Sequence, residues 1–424
     1  MKWYSDNMKY DVAIIGGGPA GMIAAGRAGE RKASVILIEK NKALGEKLLI
    51  TGKGRCNITQ IKFNNKELAD KFGKEGRFLL YGFSIFGPKQ VIDFFENLKL
   101  KTKIERGGRI FPKSNKAEDV LQVLRSYLVK NVVKILAGRM VKKIIRKDNK
   151  ISAIVLENGE EVIANKYIIA TGGKSYPWLG SNGSGFRLAE KLGHTIIKLK
   201  PALTPIKIKE KWLKRVLGLS LKNVSITIRQ GNKKQDSRFG ELLFAHFGIT
   251  GPIVLDISKK VGELLNSSKS KGEVKLILDL KPALDFEKLD NRLQRDFIKF
   301  RKKLFKNSLN DLLPEKLISV IINLSGIDKN KLADDITKKE RYELVKLLKG
   351  VEITPVGLLG FDKAIITSGG VSLKEIDAKT MKSKIIDNLY FVGEILNLDG
   401  PTGGYNLQVC WSTGYIAGNS VIKL

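Results

Sequence analysis

Gly16, Gly18 and Gly21 stand in the pattern G-x-G-x-x-G inside Gly16-Gly17-Gly18-Pro19-Ala20-Gly21, and Glu39 follows Gly16 by 23 positions. These residue types at this spacing suit one task, holding a dinucleotide. The first glycine makes a tight turn and the second lets backbone N–H groups approach a pyrophosphate. The third lets helix and strand pack closely, and the acid accepts hydrogen bonds from a ribose while repelling a 2′-phosphate. A glycine pattern alone is common. Here the context agrees: the apolar run Val12 to Ile15 reads as a strand, an Ala-rich helical pattern follows, and the apolar run Val35 to Ile38 ends at Glu39.

Other stretches could face the same ligand. After Lys40, a loop built on Gly45, Gly52 and Gly54 carries Lys47, Lys53 and Arg55, cations suited to a second phosphate-facing segment. The apolar strand ending in Ala170-Thr171-Gly172-Gly173 brings bare backbone to a cofactor. Near the C-terminus, a strand over Leu389 to Val392 runs into Gly393-Glu394, and Gly403-Gly404 precede a helix starting near Tyr405 and Asn406. A strand tip with Gly-acid can bind a ribityl hydroxyl or phosphate. A glycine-preceded helix start aims N–H groups and a partial positive charge at an anion, such as the N1 and O2 region of a reduced flavin. Gly183-Ser184-Gly185 is a further candidate anion site, but no second strand, glycine turn and acid follow it, so one dinucleotide fold is expected. No acid–base dyad stands out. Tyr176, His246 and Tyr405 are the catalytic candidates because each lies in a glycine-rich motif, whereas His194 reads as a helix-closing residue matched to the dipole. Cys56 and Cys410 lie far apart and match no zinc or redox spacing, and with two histidines no metal site is expected.

The elements that must position these residues form an α/β chain. At 424 residues and 43% hydrophobic composition it can bury a large core in two or three domains. Residues 1–198 and 353–424 read as one discontinuous dinucleotide-binding domain, 199–284 as a β-rich insert and 285–352 as a helical insert. The first residues lack the apolar core of a signal peptide, and three glycines break the apolar run that follows, so neither a signal peptide nor a membrane span is expected and the cytoplasm is the default. Lys+Arg 76 against Asp+Glu 43 leaves a formal +33, which can mean nucleic acid, an anionic membrane surface or acidic substrates. Most of it is scattered lysine, densest over Lys207 to Arg215 and Phe297 to Lys306. The expectation is a solvated surface with non-specific attraction for nucleic acid, a small-molecule substrate, and an oligomeric state that the sequence does not set.

GGGPAG, TGKGRCN, ATGGKSYPWLGSNGSG, the PALTP turn, HFGITGP, ITSGGVSLKEIDAKTMKSK and GEILNLDGPTGGYNLQ occur in that order along nearly the whole chain. In combination they resemble the FAD-binding enzymes grouped with aminoacetone oxidase, called NAD(P)/FAD-dependent oxidoreductases and similar to bile-acid dehydro-steroid reductases. The resemblance implies a Rossmann-like FAD-binding domain made from both chain ends, with a β-barrel-like piece and a helical piece inserted. It implies non-covalent FAD held by the Gly16–Gly21 turn with Pro19 and Ala20, and by Glu39, Lys40, Arg55, Cys56, Asn57, Ala170, Thr171, Gly172, Gly393, Glu394, Gly404, Tyr405, Asn406, Leu407 and Gln408, with Val141 offering its backbone to adenine. It implies hydride transfer between a small amine, aminoketone or enone and flavin N5, with oxygen or NAD(P)H completing the cycle. An RNA-associated flavoprotein and a fumarate or ketosteroid reductase-like enzyme are the alternatives. The chain departs from the family pattern at Ala245, Asn397 and Cys410, near the substrate space.

Overall fold

The structure, a computed structural model, describes residues 9–267 and 272–422. The chain divides into two compact units, Met1–Pro201 with Ala364–Leu424, and Ala202–Lys363.

In the first unit, β1 (Lys9–Ile15), α1 (Pro19–Glu30) and β2 (Val35–Glu39) form the expected strand–turn–helix–strand. A parallel sheet runs in the order Lys134–Ala137, β2, β1, Glu161–Ile169 and Leu389–Phe391. Its central strands are apolar nearly throughout because both faces are covered. Strand Glu161–Ile169 is also the last of an antiparallel meander with Val141–Lys147 and Lys150–Leu156. Asn388 joins that meander to the C-terminal strand: its amide oxygen accepts from Ile151 N–H at 2.8 Å and its nitrogen donates to Ile151 O at 2.9 Å. A small antiparallel sheet, Thr59–Gln60 with Arg109–Pro112 and Thr102–Glu105, completes the unit's described sheets together with the pair Ile196–Ala202 and Ile366–Val371.

The C-terminal helix, Tyr405–Ser420, lies parallel to α1 at close range. A Cβ on Gly414 would stand 2.4 Å from Ala20 O and one on Gly418 2.5 Å from Ala24 O, so glycine at both positions is what lets the backbones meet. Ala20 thus aligns with Gly414. At 1.5 Å per residue the C-terminal helix begins about 12 Å beyond the start of α1, with its N-terminus pointing the same way.

The second unit is built on a seven-stranded antiparallel sheet whose end strands are Val351–Ile353 and Pro355–Leu358. Those two are one chain bent at Thr354, so the sheet closes on itself as a barrel-like piece. Helix Pro252–Leu265 buries Ile253, Val254, Ile257 and Val261 against it. Helices Phe286–Lys299, Glu315–Ser325 and Lys338–Lys349 feed Leu293, Ile321 and Leu348 into the same apolar cluster as Ile226 and Leu276. Strand and helical residues therefore share one core. Because Val351–Leu358 pairs within this sheet, the divisions fall after Pro201 and Lys363.

Candidate cofactor site

The glycine turn has the geometry its spacing requires. Gly16 has φ 110°, and a Cβ there would stand 2.4 Å from Ala170 O. A Cβ on Gly21 would come within 1.9 Å of Gly16 O, which is the close helix–strand contact. Gly18 differs: it is the extended N-cap of α1, and a Cβ on it meets nothing within 4 Å. Pro19 occupies the first turn, no side chain caps it and no acid stands within that turn, so the helix start keeps N–H groups and a positive dipole end for an anion.

Glu39 at the tip of β2 accepts from Gly17 N–H through Oε2 and from Asn41 N–H through Oε1, both at 2.7 Å. Arg139 N–H donates to Glu39 O at 3.0 Å and Gly138 N–H to Asn41 O at 2.8 Å. These bonds lay the chain just before buried Val141 along the same tip. Lys40 beside it is half-buried; burial pulls its ammonium pKa down, the Glu39 charge opposes that, and Arg187 adds to it.

The other glycine-ended strands reach the same place. Ala170 N–H donates to Ile15 O at 2.8 Å. Thr171 follows with Oγ1 buried and without a hydrogen-bond partner among the described residues, and Gly172 has φ 71°. Gly393, with φ 77°, donates to Thr413 Oγ1 at 3.0 Å, and a Cβ on it would touch Ala20 Cβ at 2.8 Å. It is therefore pressed on the first turn of α1. Glu394 is held on both oxygens, by Lys47 Nζ at 2.8 Å and by Thr367 N–H at 2.8 Å. Thr367 Oγ1 in turn accepts from Lys174 N–H at 2.7 Å. Thr367 was not among the residues singled out from sequence; its signal is a hydroxyl beside Gly369-Gly370 in a wholly buried strand.

Several residues named from sequence are occupied otherwise. Lys47 and Arg55 were expected in a segment facing phosphates. Lys47 is paired with Glu394, and Arg55 lies 3.0 Å from Glu105 and 4.1 Å over the Phe111 ring. Carboxylates distant in sequence have claimed both charges. Cys56 is wholly buried and burial pushes its thiol up to about 12, which leaves it inert. The Asn57 amide, with its nitrogen toward Thr59 O and Ile110 O, accepts from Gly404 N–H at 3.0 Å and so fixes the start of the C-terminal helix. Asn406 clasps the preceding loop, accepting from Gly400 N–H at 2.8 Å and donating to Gly400 O at 3.0 Å. Gln408 is fully buried: it donates to Phe86 O and Ser412 Oγ and accepts from Thr59 Oγ1, so its side chain is bonded inside the protein. Leu407 is partly buried against the core.

Among the catalytic candidates, Tyr405 is buried, with its hydroxyl accepting from Gln60 Nε2 at 2.9 Å. Tyr176 takes a left-handed backbone (φ 55°) and packs edge-on to Trp178; burial raises its phenol pKa. His246 is exposed beside Phe247 and belongs to the second unit. His194 is no dipole-matched cation. Burial pulls its pKa down, and the ring is held between Glu375 (Nδ1 to Oε2, 3.1 Å) and Ser383 (Nε2 to Oγ, 3.0 Å). Among the described residues no group of His, Cys, Asp and Glu could hold a metal ion, and no helix is long and apolar enough to cross a membrane.

The residues present fit a dinucleotide cofactor: an uncapped helix start with an open approach at Gly18, an acid at the next strand tip, and an orphan hydroxyl at Thr171. A family model described as the HI0933-like protein Rossmann domain matches residues 10–420. The chain is 32% identical to a 3-dehydro-bile acid delta(4,6)-reductase of Clostridium scindens, over 97% of this chain and 99% of the relative. It is 32% identical to a ribosomal RNA dihydrouridine synthase of Haemophilus influenzae, over the full length of both. The fold is also that of 3-ketosteroid delta1-dehydrogenase from Sterolibacterium denitrificans, at TM-score 0.53 and 15% identity, over 97% of this chain and 99% of that one. The chain belongs to the HI0933-like Rossmann-domain family and is a flavin-dependent oxidoreductase.

Proposed function

We propose that this protein is an FAD-dependent reductase that adds hydride to a carbon–carbon double bond conjugated with a carbonyl. The observation that carries the reading is the pair of parallel helix starts, staggered by about 12 Å along their common direction. One suits a pyrophosphate, the other the electron-rich end of a flavin ring. Bound FAD would supply reversible hydride chemistry, and the protein position and electrostatics. Gly18, Ala20 and Gly21 would present N–H groups and a positive helix end to the diphosphate, with Pro19 setting the first turn; Glu39 would take the adenosine ribose, with Val141 beside the adenine. Ala170 to Gly172 and Gly393-Glu394 would line the ribityl chain. Lys47 neutralises Glu394 there, which removes a repulsive charge from the site. Tyr405 to Leu407 would turn N–H groups toward the ring.

The direction of chemistry is supported by the relatives. A delta(4,6)-reductase of a 3-oxo substrate and a synthase of dihydrouridine both saturate a double bond in conjugation with a carbonyl. Amine oxidation, which the aminoacetone oxidase resemblance implies, runs the other way. NADH or NADPH is the proposed donor. The test is anaerobic: the flavin band of the purified protein should bleach with a reduced nicotinamide and return on adding a 3-oxo-4,6-diene steroid or a uridine-containing RNA. Bleaching by aminoacetone, with no return on either acceptor, would replace this reading with the oxidase.

A further inference from the structure

Charge is dispersed over most of the chain, but the fold gathers one group of cations beside the candidate site. Between Lys99 and Lys116 seven cations stand against one carboxylate, Glu105. That carboxylate is already engaged by Arg55 at 3.0 Å and Lys103 at 3.3 Å. The segment is a hairpin, Thr102–Glu105 and Arg109–Pro112, turning at Gly107 and Gly108 with φ 78° and 73°. Lys101 and Lys113 are exposed and face each other across its open end, where Lys113 N–H donates to Lys101 O at 2.8 Å. Like charges directly opposite weaken a sheet. An anion lying along the hairpin would relieve that repulsion. Exposed Lys116 follows at the start of the next helix.

The hairpin is tied to the site by one side chain. Gln60 Nε2 donates to Gly107 O at 3.2 Å and to the hydroxyl of Tyr405, the first residue of the C-terminal helix, at 2.9 Å. Ile61 N–H donates to Gly108 O at 2.9 Å, and just beyond it Phe63 is 57% exposed. Cations along a backbone track with an exposed ring beside them are what single-stranded nucleic acid binds. The basic run of the helical insert is less available: Lys299 is paired with Asp311 at 2.7 Å, and Lys299 and Lys303 both lie over the Phe300 ring.

We infer that the hairpin between Lys99 and Lys116 docks the phosphodiester backbone of an RNA and so presents its uracil bases to the candidate site. The inference rests on the reductase reading above and names its substrate class. Reduction of such a base adds a hydride and a proton across its ring double bond, the electron pair coming from NAD(P)H.

The test uses the flavin-loaded protein and a short fluorescein-labelled oligouridine, with anisotropy followed between about 50 and 200 mM salt. K101E/K113E/K116E should weaken binding at least tenfold and flatten the log–log salt slope by about 2, at roughly 0.7 per phosphate contact on a single strand. K299E/R301E/K302E should change affinity less than threefold. Should the charge reversals cost flavin, K101Q/K113Q replaces them, with a slope change of about 1.4. Equal losses in both sets, loss confined to the insert set, or hairpin-dependent binding to phosphatidylserine vesicles without RNA binding would each overturn the inference. Nicotinamide bleaching and steroid reduction are read in parallel. If they succeed while hairpin dependence is absent, only the RNA surface falls; if they fail while hairpin-dependent RNA binding stands, the reductase reading falls.

Discussion

Gly18→Val separates cofactor binding from folding. Gly18 has an extended backbone with φ −79°, which valine adopts without strain, and a Cβ there meets no protein atom within 4 Å. The apoprotein should therefore keep its fold, with a stability change within about 1 kcal/mol, including the small gain from a stiffer unfolded chain. The same open space is where the diphosphate is proposed to lie. An isopropyl group there would displace it from at least two charge-assisted hydrogen bonds, at about 1.5–3 kcal/mol each. The resulting loss of about 3–6 kcal/mol weakens FAD binding by roughly two to four powers of ten. Wild-type protein with FAD at a hundredfold excess over Kd gains about 2.7 kcal/mol, about 5–10 °C in Tm for a domain of this size, and the variant should gain almost none. The assay is flavin stoichiometry after gel filtration, with melting curves with and without added FAD. Gly21→Ala is the contrast: its Cβ would lie 1.9 Å from Gly16 O, so the turn itself should fail and soluble yield collapse. Full flavin occupancy in Gly18→Val would show that the phosphates lie elsewhere.

Gln408→Leu should cost about 2–4 kcal/mol in denaturant unfolding, because buried partners at Thr59, Ser412 and Phe86 lose their bonds; a loss below 1 kcal/mol would contradict the buried network. His194, depressed from 6.5 chiefly by burial, is protonated more readily in the unfolded chain. Stability should therefore be complete above about pH 6.5 and fall as pH drops below it, with a second loss below about 4.5, where the unfolded chain's Glu375 takes up a proton before the native one, whose pKa burial raises but Thr195 and His194 bring down on balance. His194→Asn should flatten the first part of that profile, and an unchanged slope would refute the assignment. Burial pushes both Cys56 and Cys410 up to about 12, so neither should react with a disulfide reagent in the native protein at mildly alkaline pH, and both should react after unfolding.

The opening dinucleotide unit was legible because its signals are local. Thirty residues contain the strand, the turn, the helix and the acid, and each φ demanded of Gly16 or contact demanded of Gly21 involves neighbours along the chain or the adjacent strand. The switch to short strands and then to helical spacing in the middle of the chain was legible for the same reason. That these two pieces share one core was not, since Ile226 of the sheet and Leu348 of a helix join one buried cluster only through tertiary packing.

By itself, then, the sequence determined a single dinucleotide turn, an acid at the neighbouring strand tip and two cysteines without zinc or redox spacing, all properties of residue type and spacing. The tertiary structure decided which charges remain available. Lys47 meets Glu394 from 347 positions away and Arg55 meets Glu105 from 50, and no periodicity records such pairings. It also decided that Gln408 and His194 are internal fixtures, because burial and full hydrogen bonding depend on what packs around a side chain. The stagger of the two helices comes from Gly414 on Ala20 and Gly418 on Ala24, contacts between opposite ends of the chain. Likewise, Lys101 and Lys113 stand opposite each other only because Thr102–Glu105 folds back on Arg109–Pro112.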